Sequence, residues 1–483
     1  MVSETGTVWD LVAARLAEDP DAVAVGGTAD LTYAQLGATV AELADRVAAA
    51  ASPGSLVALE ADAPLAGVVA MMAAARAGCA LMPVIADSPP HHRDLVTADA
   101  RPTAVIREAA DGGFDVAPLG PGRTDLTGIA YVLYTSGSTG RPKGVLVSQE
   151  ALLARLAGLA RTPGLSVGES MLAMTALSFD ISMAEILLPL TVGATVLAAP
   201  FGTRLDPTIF AAAVSTYKPS VIQATPSFLR LALAAGWEGA PTSRIWCGGE
   251  ALTPVLARAL VPRCAQLWNV YGPTEATIWA SAALVRDGDA ISLGEALPGT
   301  GLCLADPDGR SAPSAAEPGR EGEPGREGEI LIYGAGLADG YLERPELTAQ
   351  RFRTGMTPDG SVLCYHTGDR GRYRPDGTLE FLGRTDAQVK LRGHRIEPGE
   401  IEAVVQECPG VSEATVLVRS ADQPDRAHLV AFVVAAAPTT ERVIRRWVAE
   451  RLPSAMRPAR IVLMDSLPRT TAGKVDRVLL PAS

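Results

Sequence analysis

No cysteine pair at metal-ligand spacing, no basic run and no membrane-length apolar stretch occurs in these 483 residues. Each absence removes a class of function. The six cysteines are Cys79, Cys247, Cys264, Cys303, Cys364 and Cys408, and none forms a CxxC pair. Neither a structural zinc site nor a disulfide framework is indicated, and free thiols in a reducing cytoplasm are expected. The net charge of −12 argues against a nucleic-acid partner, because phosphate backbones need clustered Lys and Arg. The most apolar stretch, Leu65 to Ala86, contains Arg76 and Pro83. It reads as a buried helix feeding a buried strand, not as a membrane span. Residues 1–20 are acidic and lack the apolar core of a signal peptide. A soluble, cytoplasmic protein without a membrane partner is expected.

What is present is an alternation of strand-like and helix-like segments. Apolar residues make up 48% and charged residues 20%, a globular balance, and the length calls for two or more domains. GIAYVLYT (128–135) reads as a buried strand ending in a Gly-rich loop. Leu152, Leu153, Leu156 and Leu159 have helical spacing after Ser148, a candidate cap. TVLAAP (195–200) and SVIQATP (220–226) read as core strands followed by helices, the α/β pattern of a largely parallel sheet. Residues 306–328, rich in Gly, Pro, Glu and Arg, carry EPGREG twice in tandem and read as an exposed loop. A boundary is expected near Asp386. After it, EPGEIEAVVQECPG reads as a helix, VSEATVLV and HLVAFVV as strands, and ERVIRRWVAERL as a second helix. In that last helix Val443, Ile444, Trp447, Val448 and Leu452 are expected on one face. A core of residues 1–385 and a small domain of residues 386–483 follow.

The chemistry begins at Thr135, Ser136, Gly137, Ser138, Thr139 and Gly140. Glycines let backbone N–H groups approach an oxyanion, hydroxyls donate further hydrogen bonds, and Lys143 adds positive charge. The stretch suits a triphosphate. It is not a Walker loop, since Pro142 precedes Lys143 and Gly144 follows it.

YTSGSTGRPKG resembles the signature of the adenylate-forming superfamily of acyl-CoA synthetases, nonribosomal peptide synthetase adenylation domains and luciferases. Further matches follow in order along essentially the whole chain: LTYAQL (31–36), AGCALMP (78–84), SFDIS (178–182), CGGEAL (247–252), NVYGPTE (269–275), YHTGDR (365–370), GRTDAQVKLRGHRIEPGEIE (383–402) and PRTTAGKVDR (468–477). VIADSPPHHR departs from the family pattern after AGCALMP. The resemblance implies an α/β fold. Its large N-terminal domain would hold packed mixed sheets with helices and a small β-barrel-like portion, joined by a hinge to a small C-terminal α+β domain.

The resemblance also implies ATP and Mg²⁺ as cofactors and assigns residues to them. Gly249, Glu250, Ala251, Gly272 and Thr274 fall in the nucleotide-binding segments. Tyr271 can stack on adenine, Asn269 can read its edge, and Asp369 and Arg384 can fix the ribose. Glu275 is a hard oxygen ligand suited to Mg²⁺. Lys474 is the expected catalytic residue, because an ammonium offsets the negative charge that crowds adenylate formation. Asp386 matches the hinge between two half-reactions, adenylation and thiol transfer.

Asp180 matches the residue that holds the substrate ammonium in amino-acid-activating members, and a carboxylate in an apolar pocket needs a cation. The other pocket positions are Ile181, Ala184, Ala224, Trp246, Gly248, Val270, Ile278 and Trp279, all uncharged. A neutral, mainly apolar substrate side chain is expected. Its size stays open. Trp246 and Trp279 narrow the pocket, Ala184 and Ala224 widen it, and a β-amino acid also fits. Part of the set resembles glycine-type pockets; Trp246 and the two alanines do not. The chain ends nine residues after Lys474, with no carrier segment following, and His91-His92 does not begin an HHxxxDG motif. A free-standing or excised adenylation enzyme is expected, loading a phosphopantetheinyl carrier protein in trans. The alternatives are an acyl- or aryl-CoA ligase, a D-alanine–carrier ligase, or a nucleotide-binding module without catalysis.

Overall fold

The computed structural model describes residues 6–84, 88–109, 112–137, 141–287, 291–305, 324–357, 360–386, 388–391, 394–420, 427–436, 438–469, 475–477 and 479–481. The chain divides into two compact units. The first comprises residues 1–85, 100–133 and 144–385; the second comprises 86–99, 134–143 and 386–483.

The first unit is built on a nine-stranded sheet. Its order is Glu295–Ala296, Ser281–Val285, Cys264–Tyr271, Ala240–Gly248, Val221–Ala224, Ser170–Ala173, Thr195–Ala198, Val23–Gly27 and Leu31–Thr32. The central pairs are parallel, and antiparallel pairs close each end. A parallel sheet needs helical crossovers, and the sequence punctuates them with Thr-Pro or Asp-Pro. Helices Pro207–Tyr217, Pro226–Ala234 and Pro254–Leu260 each start with Pro in the first turn. The preceding Asp206, Thr225 and Thr253 accept backbone N–H bonds as caps. Pro loses nothing there, because its missing N–H would have been unpaired.

These three helices cover one face, closing a core that includes Phe210, Leu229, Ile245, Cys247 and Leu260. Helices Val8–Glu18, Tyr33–Ala50, Pro64–Arg76, Gln149–Leu159 and Ile181–Val192 lie on the opposite face, in a larger core. Strands Leu56–Glu60, Ala80–Pro83, Ile129–Thr135 and Lys143–Ser148 of a seven-stranded sheet feed that core. The expected cap holds: Ser148 Oγ accepts the Ala151 N–H at 3.4 Å. The apolar stretch is a helix, Pro64–Arg76, leading to strand Ala80–Pro83. Among the described residues no helix is long and apolar enough to cross a membrane. A five-stranded antiparallel sheet containing Glu327–Gly334 and Gly360–Tyr373 completes the first unit. Residues 306–323 of the expected loop lie outside the described residues, and its last two, 327 and 328, already belong to a strand.

The second unit contains a three-stranded sheet, Val411–Arg419, His428–Ala435 and Arg460–Met464. Helices Pro398–Gln406 and Glu441–Arg451 contribute to one core with it. Ile444, Val448 and Leu452 are buried there as expected. Val443 is not; it is 46% exposed, one position off the 3.6-residue stripe that faces the sheet.

Candidate active site

Parallel strands deliver their C-terminal ends to one edge, where ligands of α/β sheets bind. Here those ends carry the segments singled out in the sequence. Ser170–Ala173 leads to Asp180, Ala240–Gly248 to Gly249, Glu250 and Ala251, and Cys264–Tyr271 to Gly272, Thr274 and Glu275.

Of the residues expected at the nucleotide, Tyr271, Asp369 and Arg384 meet in one hydrogen-bonded cluster. Asp369 is 2% exposed. It lies opposite Arg384 in an antiparallel pair, and the two form a salt bridge. The Tyr271 hydroxyl donates to Asp369 Oδ2 at 2.6 Å, and Arg384 Nη2 donates to the Thr367 carbonyl at 3.1 Å. Burial, together with neighbouring Asp369, pushes the Tyr271 phenol well above its ordinary range, so it stays a donor. Asn269, two residues back on the same strand face, donates through Nδ2 to the Ser292 carbonyl at 2.7 Å. Glu275 is fully buried, and its Oε1 accepts the Tyr341 hydroxyl at 2.7 Å. Thr274 is buried beside it. Glu250 accepts the Ser227 N–H at 3.0 Å and the Ser227 hydroxyl at the start of helix Pro226–Ala234. Gly249 has φ +85°, a conformation open to glycine, and Ala251 is exposed. A Cβ on Gly272 would lie 2.6 Å from the Ile278 carbonyl oxygen, so only glycine fits that turn.

The loop residues fall in the second unit. Ser136 donates to the Arg395 carbonyl at 2.8 Å, and the Gly137 N–H donates to Glu400 Oε2 at 3.0 Å. Thr135 ends its strand, and Lys143, 4% exposed, begins the next. Ser138, Thr139, Gly140 and Lys474 lie outside the described residues. Asp386 opens the C-terminal run of the second unit and accepts the Gln388 N–H at 3.2 Å.

The residues expected to line the acid pocket lie mostly on the other face of the same sheet. Asp180 precedes helix Ile181–Val192 and is 4% exposed. Ile181, Ala184, Trp246, Val270, Ile278 and Trp279 share one buried cluster, with Gly248 buried alongside. Ala224 does not join them. Its side chain packs into the opposite core with Leu229 and Cys247, because alternate strand residues point to opposite faces. Gln223 occupies the pocket face instead. The sequence reading missed it, although a lone polar residue inside the strand VIQA was a usable signal. Tyr131 adds a buried hydroxyl with no hydrogen-bond partner among the described residues. Burial, with Asp180 nearby, pushes its phenol well above the usual range.

The end of strand Cys264–Tyr271 thus bonds a buried carboxylate through Tyr271 and joins the buried cluster of Trp246 and Trp279 through Val270. The family model for AMP-binding enzymes matches residues 12–118 and 117–342, and that for their C-terminal domain matches 400–474; the chain belongs to this family. Its relatives include nonribosomal peptide synthetases. It is 36% identical over 440 residues, 86% of the chain, to a dimodular nonribosomal peptide synthase of Bacillus subtilis. It is 35% identical, over 98% of the chain, to tyrocidine synthase 3 of Brevibacillus parabrevis. The same identity and coverage hold for phosphinothricin tripeptide synthetase of Streptomyces viridochromogenes. The chain spans 18%, 8% and 42% of the lengths of these relatives. Among solved structures, a four-domain nonribosomal peptide synthetase bound to AMP and glycine matches 99% of this chain and 36% of its own, at 31% identity and TM-score 0.71. A protein with adenylation and PCP domains, bound to a vinylsulfonamide inhibitor, matches 98% of this chain and 84% of its own, at 25% identity and TM-score 0.84.

Proposed function

We propose that the chain activates an amino acid with a neutral, mainly apolar side chain as its aminoacyl adenylate, using ATP and Mg²⁺. It then passes the aminoacyl group to the phosphopantetheine thiol of a carrier protein in trans. The observation that carries this reading is the end of strand Cys264–Tyr271. Val270 sits in the cluster of the Asp180 pocket, while Tyr271, the next residue, bonds Asp369. One residue step therefore joins an acid site to a ribose-type site.

A carboxylate oxygen of the amino acid attacks the α-phosphorus of ATP. The bond from that phosphorus to the bridging oxygen breaks, and pyrophosphate leaves with the electron pair. Asp180 holds the ammonium by charge, which orients the carboxylate. Asp369, fixed by Arg384 and Tyr271, accepts the ribose hydroxyls. Tyr271 offers its ring to adenine, Asn269 its amide to the base edge, and residues 135–140 with Lys143 hold the phosphates. Lys474 offsets charge on the attacking and phosphoryl oxygens. In the second half-reaction the thiol attacks the acyl carbon and AMP leaves. Residues 386–483 form the mobile domain of this reading, turning at Asp386.

The donor chemistry suits Mg²⁺. Glu275 is a buried hard-oxygen ligand anchored by Tyr341, and Mg²⁺ takes few protein ligands beside phosphates and water. When bound, the ion neutralises phosphate charge.

The relative bound to AMP and glycine supports an amino acid as the acid, and the structure with adenylation and PCP domains supports the carrier partner. The six free cysteines fit a reducing, cytoplasmic setting. ATP–pyrophosphate exchange across α-, β- and D-amino acids and aryl acids tests the reading. Exchange with amino acids is expected; exchange with none of them would sink it.

A further inference from the structure

Asp180 ends a loop that has its own buried anchor. Strand Ser170–Ala173 leaves the sheet at Met174, and residues 174–180 lead from it to helix Ile181–Val192. The N–H groups of Met174 and Thr175 fall beyond the ladder and need partners. Both donate to one oxygen, Glu185 Oε2, at 2.9 Å each. The other oxygen, Oε1, accepts the Thr175 hydroxyl at 2.6 Å and the Gln223 amide at 3.0 Å. Glu185 is fully buried, on the second turn of the helix that Asp180 precedes. Burial pushes its carboxyl up, and these four bonds oppose the shift. Four donors on two oxygens are the set that an ionised carboxylate takes.

The Glu185 side chain thus closes a ring of chain that runs from Thr175 to Glu185, with Asp180 at its middle. Backbone bonds stiffen the ring. The N–H groups of Phe179, Ser182 and Met183 donate to the carbonyls of Ala176, Phe179 and Asp180, each at 2.9 Å. Leu177 seats the ring on helix Pro64–Arg76, where a Cβ on Gly67 would lie 2.4 Å from Leu177 Cδ2. Asp180 takes no capping bond from its helix, because its backbone is already helical at φ −54° and ψ −30°. The direction of its side chain depends on how the loop enters the helix.

We propose that Glu185 is a positioning residue for amine recognition: by tying the start of the loop to the helix, it fixes where Asp180 meets the substrate ammonium, whatever side chain the amino acid carries. The inference rests on the amino-acid-activating reading above. Attraction between charges depends on their separation, so a displaced Asp180 weakens the ammonium contact and leaves the nucleotide site as it was.

The test is ATP–pyrophosphate exchange by the full chain. Its substrate is the amino acid of the panel that wild type turns over fastest, and the corresponding amino alcohol, which keeps the ammonium and lacks the carboxylate, serves as competitive inhibitor. Glu185→Gln sets an amide NH₂ against donors, and Thr175→Val deletes the hydroxyl bond while nearly keeping the shape. KM for the amino acid and Ki for the amino alcohol are expected to rise together, about tenfold or more in Glu185→Gln and about threefold in Thr175→Val, with KM for ATP unchanged. A purely structural role would shrink the fraction of active enzyme, so a lower kcat with both KM values unchanged overturns the proposal. An equal rise in KM for ATP and for the amino acid overturns it too. Thr175→Val, at a half-buried position, carries the test by itself if Glu185→Gln does not fold, and wild-type constants in it then refute the proposal. Either result leaves amino-acid activation standing. Exchange with no amino acid by wild type removes the reading beneath the proposal, and the proposal with it.

Discussion

Glu400 offers a measurement whose sign and size follow from the structure. It lies in the first turn of helix Pro398–Gln406, is 2% exposed, and accepts the Gly137 N–H at 3.0 Å. Burial pushes its carboxyl up to about 7 from an ordinary 4.5; the Gly137 bond opposes this and neighbouring Glu397 adds to it. The folded chain therefore holds this proton more tightly than the unfolded chain. The group's contribution to stability is complete below pH 4.5 and is lost as pH rises through about 7. The gap corresponds to about 3 kcal/mol at full ionisation. Glu400→Gln keeps an oxygen for Gly137 and cannot ionise. The variant is expected to match wild type near pH 5 and to exceed it by ~1–3 kcal/mol at pH 8. Urea unfolding at half-unit pH steps measures this. Hydrogen exchange over residues 398–406, corrected for intrinsic rates, places the effect in that helix. Parallel pH profiles for the two proteins would refute the reasoning.

Lys474→Ala is expected to abolish adenylation while leaving ATP binding, measured by calorimetry, largely intact; unchanged turnover would remove Lys474 from the mechanism. Asp386→Pro is expected to spare adenylate formation more than transfer to a thiol, measured as pyrophosphate exchange against carrier loading; equal losses count against a hinge there. Tyr271→Phe deletes the 2.6 Å bond to Asp369 and leaves Arg384 as its partner. A hydrogen bond to a charged group contributes roughly 1.5–3 kcal/mol, so the KM for ATP in exchange should rise about ten- to hundredfold, and an unchanged KM would contradict the ribose role.

How much was legible in the sequence depended on what kind of information each residue carries. The strand at 129–135, the helix after Ser148, the helix feeding Ala80–Pro83 and the small-unit helices were readable because period and punctuation are local properties. The pairing of Asp369 with Tyr271 and Arg384 was reached only through motif resemblance. It joins residues 98 and 15 positions apart, and no local pattern encodes that. Arg155 was invisible for a related reason. On a helix it reads as a solvated cation, yet it is 1% exposed and bonds a carbonyl 121 positions away.

The error at Ala224 shows what kind of rule failed. A pocket position assigned by motif is uncertain by one residue, and in a strand one residue is the difference between two faces. The correction comes from register. Gln223 pairs with Trp246, and Trp246 with Trp268, while Ala224 pairs with Cys247, and Cys247 with Asn269. Residues abreast in a sheet share a face, so Trp246 in the pocket requires Gln223 there and sends Ala224 to the other core. The exchange alters the chemistry expected of the site. An alanine would have left room for a side chain; a buried amide bonded to Trp279 instead fixes a large ring in that space. Polarity could be read from composition, whereas pocket depth could be read only once strand parity decided which neighbour faced inward.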